Sequence, residues 1–140
     1  VLEPHLASQT KDVSAKVLVG TVHGDLHDIG KNLVVTMFQG MGFEVKDMGI
    51  NVPTAEIVRQ TAEFQPDVVG LSALLTTTMP EMKKVIDALT EAGLRDKVKV
   101  IVGGAPVNKK YADSIGADGY APDAGEAVAL VKRLVKGPPA

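Results

Sequence analysis

Short runs of β-branched and other apolar residues alternate along the chain with longer stretches in which apolar residues recur at helical spacing. The first run, KVLVGTV at residues 16–22, is continuous enough to indicate a buried strand. The predicted strands are residues 16–22, 43–49, 67–73, 99–104 and, with a weaker pattern, 117–121. The predicted helices are residues 30–41, 54–64, 80–92, 108–115 and 125–135. Strand and helix therefore alternate strictly.

This alternation predicts an α/β fold in which a parallel sheet is covered by helices on both faces. Five strands favour the flavodoxin-like, or Rossmann-like, doubly wound order. Glu56 and Pro80 fall in predicted first turns, and Gly93 and Gly116 fall where two helices should end. Ligands of such open sheets bind at the carboxyl ends of the strands, so we expect the functional site at that edge.

Composition narrows the range of functions. The chain has 140 residues, which suits one domain, and we assign it to residues 16–137. A net charge of −2 and an aromatic content of 4% argue against nucleic-acid binding. The chain has no cysteine, which excludes disulfides and thiolate ligands and suits a cytoplasmic protein. No apolar stretch approaches the ~20 residues of a membrane span, so no membrane is expected as a partner.

The most distinctive stretch is GDLHDIGKN, residues 24–32, which directly follows the first predicted strand. Its spacing fits neither a dinucleotide-binding glycine pattern nor a P-loop, and its aspartates would repel a phosphate. A phosphorelay receiver would need a carboxylate after the third strand, where this chain has Ser72. The side chains available to a divalent-metal hydrolytic site, which stays open as an alternative, are His23, Asp25, His27 and Asp28.

Two further features bear on the choice. Asp25 and His27 can point the same way along an extended turn, so that the carboxylate accepts a hydrogen bond from one imidazole nitrogen while the other binds a metal. Gly30, Ser72 and the pair Gly103 and Gly104 indicate a slot between strand ends that a flat or elongated ligand could enter. A bare hydrolytic metal needs no such slot.

Three motifs carry a family resemblance. DLHDIG at residues 25–30 fits the D-x-H-x-x-G signature of cobalamin-binding domains, SAL at residues 72–74 fits their S-x-L, and GG at residues 103–104 fits their third element. All three lie at predicted strand ends in the expected order. The chain therefore resembles cobalamin-binding, or corrinoid-binding, domains. DIGKN makes it similar to the small methyl-carrying corrinoid proteins of methanol, methylamine and methoxyarene methyltransferase systems, and to the cobalamin domain of methionine synthase.

The resemblance implies a cofactor and a function. The cofactor would be cobalamin, as methylcobalamin, hydroxocobalamin or a related corrinoid, bound with its own base displaced and with His27 as lower axial ligand of the cobalt. Asp25 would orient the imidazole of His27. The chain would carry a methyl group as a Co(I)/methyl-Co(III) shuttle, and would be a corrinoid subunit of a methyltransferase system with no catalytic residue of its own and not a complete enzyme.

The resemblance also implies which residues contact the cofactor. Ser72 would hydrogen-bond the benzimidazole beside Leu74. Thr76 and Thr78 would reach polar groups of the macrocycle or tail, or would pack on the following helix, and the glycines would leave room for the tail. The full set is Asp25, His27, Asp28, Ile29, Gly30, Ser72, Leu74, Thr76, Thr78, Gly103 and Gly104.

The expected partners are a substrate-specific methyltransferase, an acceptor methyltransferase and a corrinoid reductive-activation protein. Residues 1–15 resemble the tail and linker of an upstream helical bundle, and we expect the chain to be a piece of a longer protein. Two alternatives stay open besides the metal site: the cobalamin domain of an adenosylcobalamin-dependent mutase, and a cobalamin sensor.

Overall fold

Strands and helices alternate throughout the part of the chain that the computed structural model describes, residues 15–136. Within it, the strands are β1 Lys16–Val22, β2 Glu44–Val52, β3 Val68–Ser72, β4 Lys99–Gly103 and β5 Gly119–Tyr120. The helices of the same segment are α1 Ile29–Gly40, α2 Thr54–Phe64, α3 Pro80–Glu91, α4 Lys109–Ile115 and α5 Ala124–Lys136, with a short 3₁₀ helix at Arg95–Lys97. The predicted lead, residues 1–15, lies outside the described residues except for Ala15, as does residue 137.

The strands form one parallel sheet in the order β2-β1-β3-β4-β5. This order confirms the predicted flavodoxin-like fold. β1, β3 and β4 lie inside the sheet with both faces covered, which explains why more than half of their residues are buried valine, leucine or isoleucine. No helix of residues 15–136 is both long and apolar enough to cross a membrane.

Two apolar clusters hold the helices against the sheet. Ile57 of α2, Leu89 of α3 and Ile115 of α4 pack on one face. Phe38 of α1 and Val131 of α5 pack on the other face. The carboxyl ends of β1, β3 and β4 meet at one edge, and the loops that follow them bring the three sequence motifs together.

β2 differs most from its prediction, because it continues to Val52 instead of ending at residue 49. It lies at the edge of the sheet, and its pairing with β1 shifts register twice after Val19. Gly49 and Asn51 both have positive φ, at 95° and 52°. This irregular course turns the end of β2 towards the loop after β1, where Asn51 contributes to the site described next.

Candidate functional site

His27 and Asp25 form a hydrogen-bonded pair in the loop between β1 and α1. Nδ1 of His27 lies 2.9 Å from Oδ1 of Asp25, and the backbone N–H of His27 donates to the same oxygen at 3.1 Å. The Asp25 side chain is fully buried, whereas the His27 side chain is 49% exposed. Because the carboxylate engages Nδ1, the proton is assigned to that nitrogen and the lone pair of Nε2 faces away from the pair.

The second carboxylate oxygen of Asp25 binds the loop after β3. Oδ2 accepts a hydrogen bond from the Leu74 backbone N–H at 2.7 Å and another from the Thr78 hydroxyl at 2.7 Å. Burial acts to raise the pKa of Asp25, but these bonds and those from His27 outweigh it, so the pKa lies well below its usual value. Asp25 is therefore an ionised group that connects the loops after β1 and β3.

Other polar contacts fix the backbone on either side of His27. The hydroxyl of Thr21, a buried residue of β1, donates to the His27 carbonyl at 3.1 Å. Asn51 accepts from the Gly24 N–H at 2.8 Å and donates its own N–H to the Asp25 carbonyl at 2.9 Å. The loop is thus held by β1 and β2 as well as by the loop after β3, so the orientation of the imidazole does not depend on the loop alone.

Lys31 connects the same motif to β2. Its side chain is almost fully buried, and its ammonium donates to both carboxylate oxygens of Asp47 at 2.8 Å and to Oδ1 of Asn32 at 2.7 Å. The ammonium also lies 3.2 Å from Oδ1 of Asp28, and its hydrogen bond lowers the pKa of that carboxyl group. A buried lysine surrounded by carboxylates holds the start of α1 against the sheet.

A cavity of about 660 Å³ lies between the sheet and helices α1 and α5, next to His27. Eight of the residues assigned to the cofactor line it: His27, Asp28, Ile29, Gly30, Ser72, Leu74, Gly103 and Gly104. Asp25, Thr76 and Thr78 do not line it. Asp25 and Thr78 are buried behind His27, and Thr76 is exposed. Thr78 donates to the carboxylate of Asp25, a contact that was not among the two predicted for it, namely the cofactor or packing on the following helix.

Large apolar side chains surround the cavity and are open to solvent. Leu26 is 66% exposed, Ile29 is 86% exposed and Leu33 is 56% exposed, and all three line the cavity together with the half-exposed Leu74. A group of such side chains around one cavity is typical of a binding site for a large, mostly apolar ligand.

The structural reasons for glycine differ among positions 30, 103 and 104 of the site. A Cβ at Gly30 would meet nothing within 4 Å, so this position is open space at the cavity. A Cβ at Gly104 would lie 1.8 Å from the Ala73 carbonyl oxygen, and Gly104 has a φ of +125°. A Cβ at Gly103 would lie 3.0 Å from the Ala121 carbonyl oxygen. Close packing of protein backbone therefore requires glycine at position 104, independently of any ligand.

The described residues do not support the hydrolytic metal alternative. Within residues 15–136, no group of three or more histidine, aspartate or glutamate side chains is arranged to hold a metal ion. The Asp25 oxygens are already engaged by four donors from His27, Leu74 and Thr78, so Asp25 is not available as a ligand. In the Asp25–His27 pair, the atom that remains for a metal is Nε2 of His27, which suits a metal brought in by a larger group.

Sequence comparison decides the family. Residues 15–129 match the family model described as the B12 binding domain. The chain belongs to this family. The match covers β1 to the middle of α5 and includes all three motifs. It confirms the resemblance inferred from DLHDIG, SAL and GG, and it confirms cobalamin or a related corrinoid as the cofactor of this B12-binding domain.

Individual relatives agree with the family model. The domain is 50% identical to "Dimethylamine corrinoid protein 2" of Methanosarcina acetivorans over 98% of this chain and 64% of that protein. It superposes with a TM-score of 0.83 on a cobalamin-binding protein from Desulfitobacterium hafniense DCB-2, at 46% identity over 86% of this chain and 58% of that one. It also superposes with a TM-score of 0.83 on one chain of the methanol:cobalamin methyltransferase complex of Methanosarcina barkeri. The identity is 32%, over 89% of this chain and 47% of that chain. The chain thus spans about two thirds or less of these proteins.

Several residues of the site were not found by sequence analysis. Thr21 and Asp47 lie inside predicted strands, where their residue types give no signal of contact with the loop. Lys31 was noted only as part of the DIGKN motif. Its pairing with Asp47 depends on the register in which β2 pairs with β1, and the sequence does not reveal that register.

Proposed function

We propose that this domain binds a corrinoid through Nε2 of His27, with the corrinoid's own base displaced, and carries a methyl group between partner methyltransferases. The observation that carries the proposal is the Asp25–His27 pair, which leaves one imidazole nitrogen free at the mouth of a large apolar cavity. The names of the relatives, which are corrinoid proteins and a methanol:cobalamin methyltransferase complex, support the same function.

The residues present fit such a cofactor. A corrinoid with a displaced base needs a ligand for the cobalt and a separate recess for its nucleotide tail. His27 offers the ligand, and the adjoining cavity, open at Gly30, offers space for the tail. Ser72 lies in the cavity lining, where its hydroxyl can hydrogen-bond the displaced base.

Asp25 sets the chemical state of His27 in this proposal. Its carboxylate stays ionised and holds the proton of the imidazole on Nδ1, which keeps the Nε2 lone pair available and increases its basicity. Thr78 and the Leu74 N–H hold the carboxylate in turn, so that the imidazole keeps its orientation when the cofactor changes its charge. When bound, the cobalt supplies the methyl-accepting and methyl-donating chemistry, and the chain supplies binding and orientation.

Histidine ligation is tested by replacing His27 with alanine. Each protein is incubated with hydroxocobalamin, desalted and examined by visible spectroscopy. We expect the wild-type domain to retain cobalamin, and His27→Ala to show altered cobalt-ligand bands because only water or the cofactor's own base can then occupy the lower position. Electron paramagnetic resonance of the Co(II) state, with isotopically labelled histidine, checks whether the axial nitrogen belongs to the protein.

His23→Ala is the matched control, because His23 is an exposed histidine in the same loop. Its spectrum should equal that of the wild type. Failure of the wild-type domain to retain cobalamin would contradict the proposed function, and an unchanged spectrum in His27→Ala would contradict histidine ligation.

Methylated amines are the first substrates to test, because several relatives are dimethylamine corrinoid proteins. The reduced, cobalamin-loaded domain is mixed with dimethylamine and a dimethylamine methyltransferase. Transfer of the methyl group to the domain should change the visible spectrum to that of methylcobalamin. No change in the presence of an active methyltransferase would contradict dimethylamine as the methyl donor.

A further inference from the structure

Gly70 lies in the centre of β3, between two branched side chains of the neighbouring strands. It pairs with Val19 of β1 on one side and with Ile101 of β4 on the other. Val19 and Ile101 belong to the apolar cluster under α1 and α5, and both line the cavity together with Gly70. The cavity therefore reaches the sheet at the position where β3 has no side chain.

Protein packing does not require glycine at this position. A Cβ on Gly70 would lie 3.7 Å from Cγ1 of Ile101 and 3.8 Å from Cγ2 of Val19, which are ordinary contact distances. Gly70 also does not have a positive φ. This differs from Gly20 and Gly119, where a Cβ would approach neighbouring side chains to 2.9 Å and 2.8 Å. Glycine weakens the interior of a strand, and one that packing does not explain often marks close approach of a ligand.

The cavity surface around Gly70 is apolar except for Ser72, which lies two residues further along β3 on the same face of the sheet. The cavity lining includes five apolar side chains of the cluster under α1 and α5, which belong to Val19, Phe38, Ile101, Ala121 and Ala127. The backbone N–H and C=O groups of β3 are used in pairing, because β3 has a strand on each side. A polar group that Ser72 does not reach would lose its hydrogen bonds to water here without replacement, which is unfavourable.

We propose that Gly70 is a specificity-determining residue that lets the lower base of the corrinoid lie flat against the sheet, and that this surface selects a benzimidazole with apolar edges over a purine. The inference rests on the proposed function, because it concerns the base that His27 displaces. Gly70 lies outside the three motifs, and the absence of a side chain there sets the depth of the cavity at the sheet. A flat ring fits against a glycine backbone. Ser72 can hydrogen-bond the free ring nitrogen of either base, which leaves the exocyclic amine of adenine without a partner.

The experiment compares the affinities of three corrinoids for the wild-type domain, Gly70→Ala and a control. The corrinoids are cobalamin, which carries dimethylbenzimidazole, its analogue with adenine as lower base, and cobinamide, which lacks the nucleotide. Gly40→Ala is the control, since Gly40 lies at the end of α1 away from the cavity lining and a Cβ there meets nothing within 4 Å. Affinity is measured by absorbance titration, and circular dichroism checks the fold of each variant.

We expect the wild-type domain to bind cobalamin at least about tenfold more tightly than the adenine analogue, a factor that corresponds to about 1.4 kcal/mol. Gly70→Ala should weaken cobalamin binding by about tenfold and leave cobinamide binding unchanged, because the added methyl occupies space that only the base uses. Gly40→Ala should equal the wild type with all three.

The outcomes distinguish this inference from the proposed function. A wild-type domain that binds neither cobalamin nor cobinamide contradicts the proposed function itself. A wild-type domain that binds cobalamin, together with a folded Gly70→Ala variant of equal cobalamin affinity, overturns the role of Gly70 alone. Equal affinity of the wild type for cobalamin and the adenine analogue overturns the selection of the base.

Discussion

Replacing Gly104 with alanine is expected to destabilise the domain by about 2–5 kcal/mol, the sum of a steric clash and of backbone strain, which is a large part of the total stability of a typical domain. The added Cβ would lie 1.8 Å from the carbonyl oxygen and 2.8 Å from the carbonyl carbon of Ala73. Both are backbone atoms, so no side chain can rotate away, and the ends of β3 and β4 would have to separate. The hydrogen bond from the Ala73 N–H to the Gly103 carbonyl, at 3.2 Å, lies at the same junction. Urea denaturation followed by far-ultraviolet circular dichroism measures the loss, because the chain has no tryptophan for fluorescence.

Gly116→Ala separates backbone strain from the clash. Gly116 also has positive φ, at +83°, but a Cβ there would meet nothing within 4 Å. Its replacement should cost only the strain of a left-handed residue, about 1–2 kcal/mol. If Gly104→Ala lost no more stability than Gly116→Ala, the close approach between residues 73 and 104 would be wrong.

The fold could be predicted from the sequence because its inner strands bury both faces. β1 begins and ends at the predicted residues, and α2 does as well, since continuous valine and leucine runs and helical periodicity are local signals. β2 could not be bounded in this way. It is an edge strand whose last residues include Gly49 and Asn51 with positive φ, and its length depends on its pairing with β1.

The pairing of Asp25 with His27 was predicted because the two residues are neighbours in the sequence. The partners of the other carboxylate oxygen were not predicted, since Leu74 and Thr78 lie in a loop that only the folded sheet brings close. For the same reason, Gly104 was predicted to leave room for a ligand, but its close approach to Ala73 was not predicted, and neither was a role for Gly70, whose neighbours are on two other strands. Motifs identify which residues matter, but contacts between strands determine how they act.

Replacing Asp25 with asparagine is expected to destabilise the cofactor-free domain by about 2–4 kcal/mol and to weaken cobalt ligation by His27. Together, the two carboxylate oxygens of Asp25 accept four hydrogen bonds, two from His27, one from Leu74 and one from Thr78. An asparagine side chain keeps one accepting oxygen and has an NH₂ donor in place of the other. That NH₂ group would face either the donors of the loop after β3 or those of His27. Facing His27, it would donate to Nδ1, which moves the imidazole proton to Nε2 and blocks that nitrogen from the cobalt.

Thr78→Val and Thr78→Ser distinguish the structural part of this effect from the part that acts on His27. Valine keeps the shape of threonine but removes the hydroxyl, and should cost about 1–3 kcal/mol of stability because a buried charge loses one donor. It leaves Nδ1 of His27 on its carboxylate, so the spectrum of the cobalamin-loaded domain should keep its histidine-ligated bands. Serine keeps the hydrogen bond and should stay closer to the wild type in both measurements. If Asp25→Asn lost stability but kept the wild-type spectrum, Asp25 would join the two loops without controlling the imidazole proton.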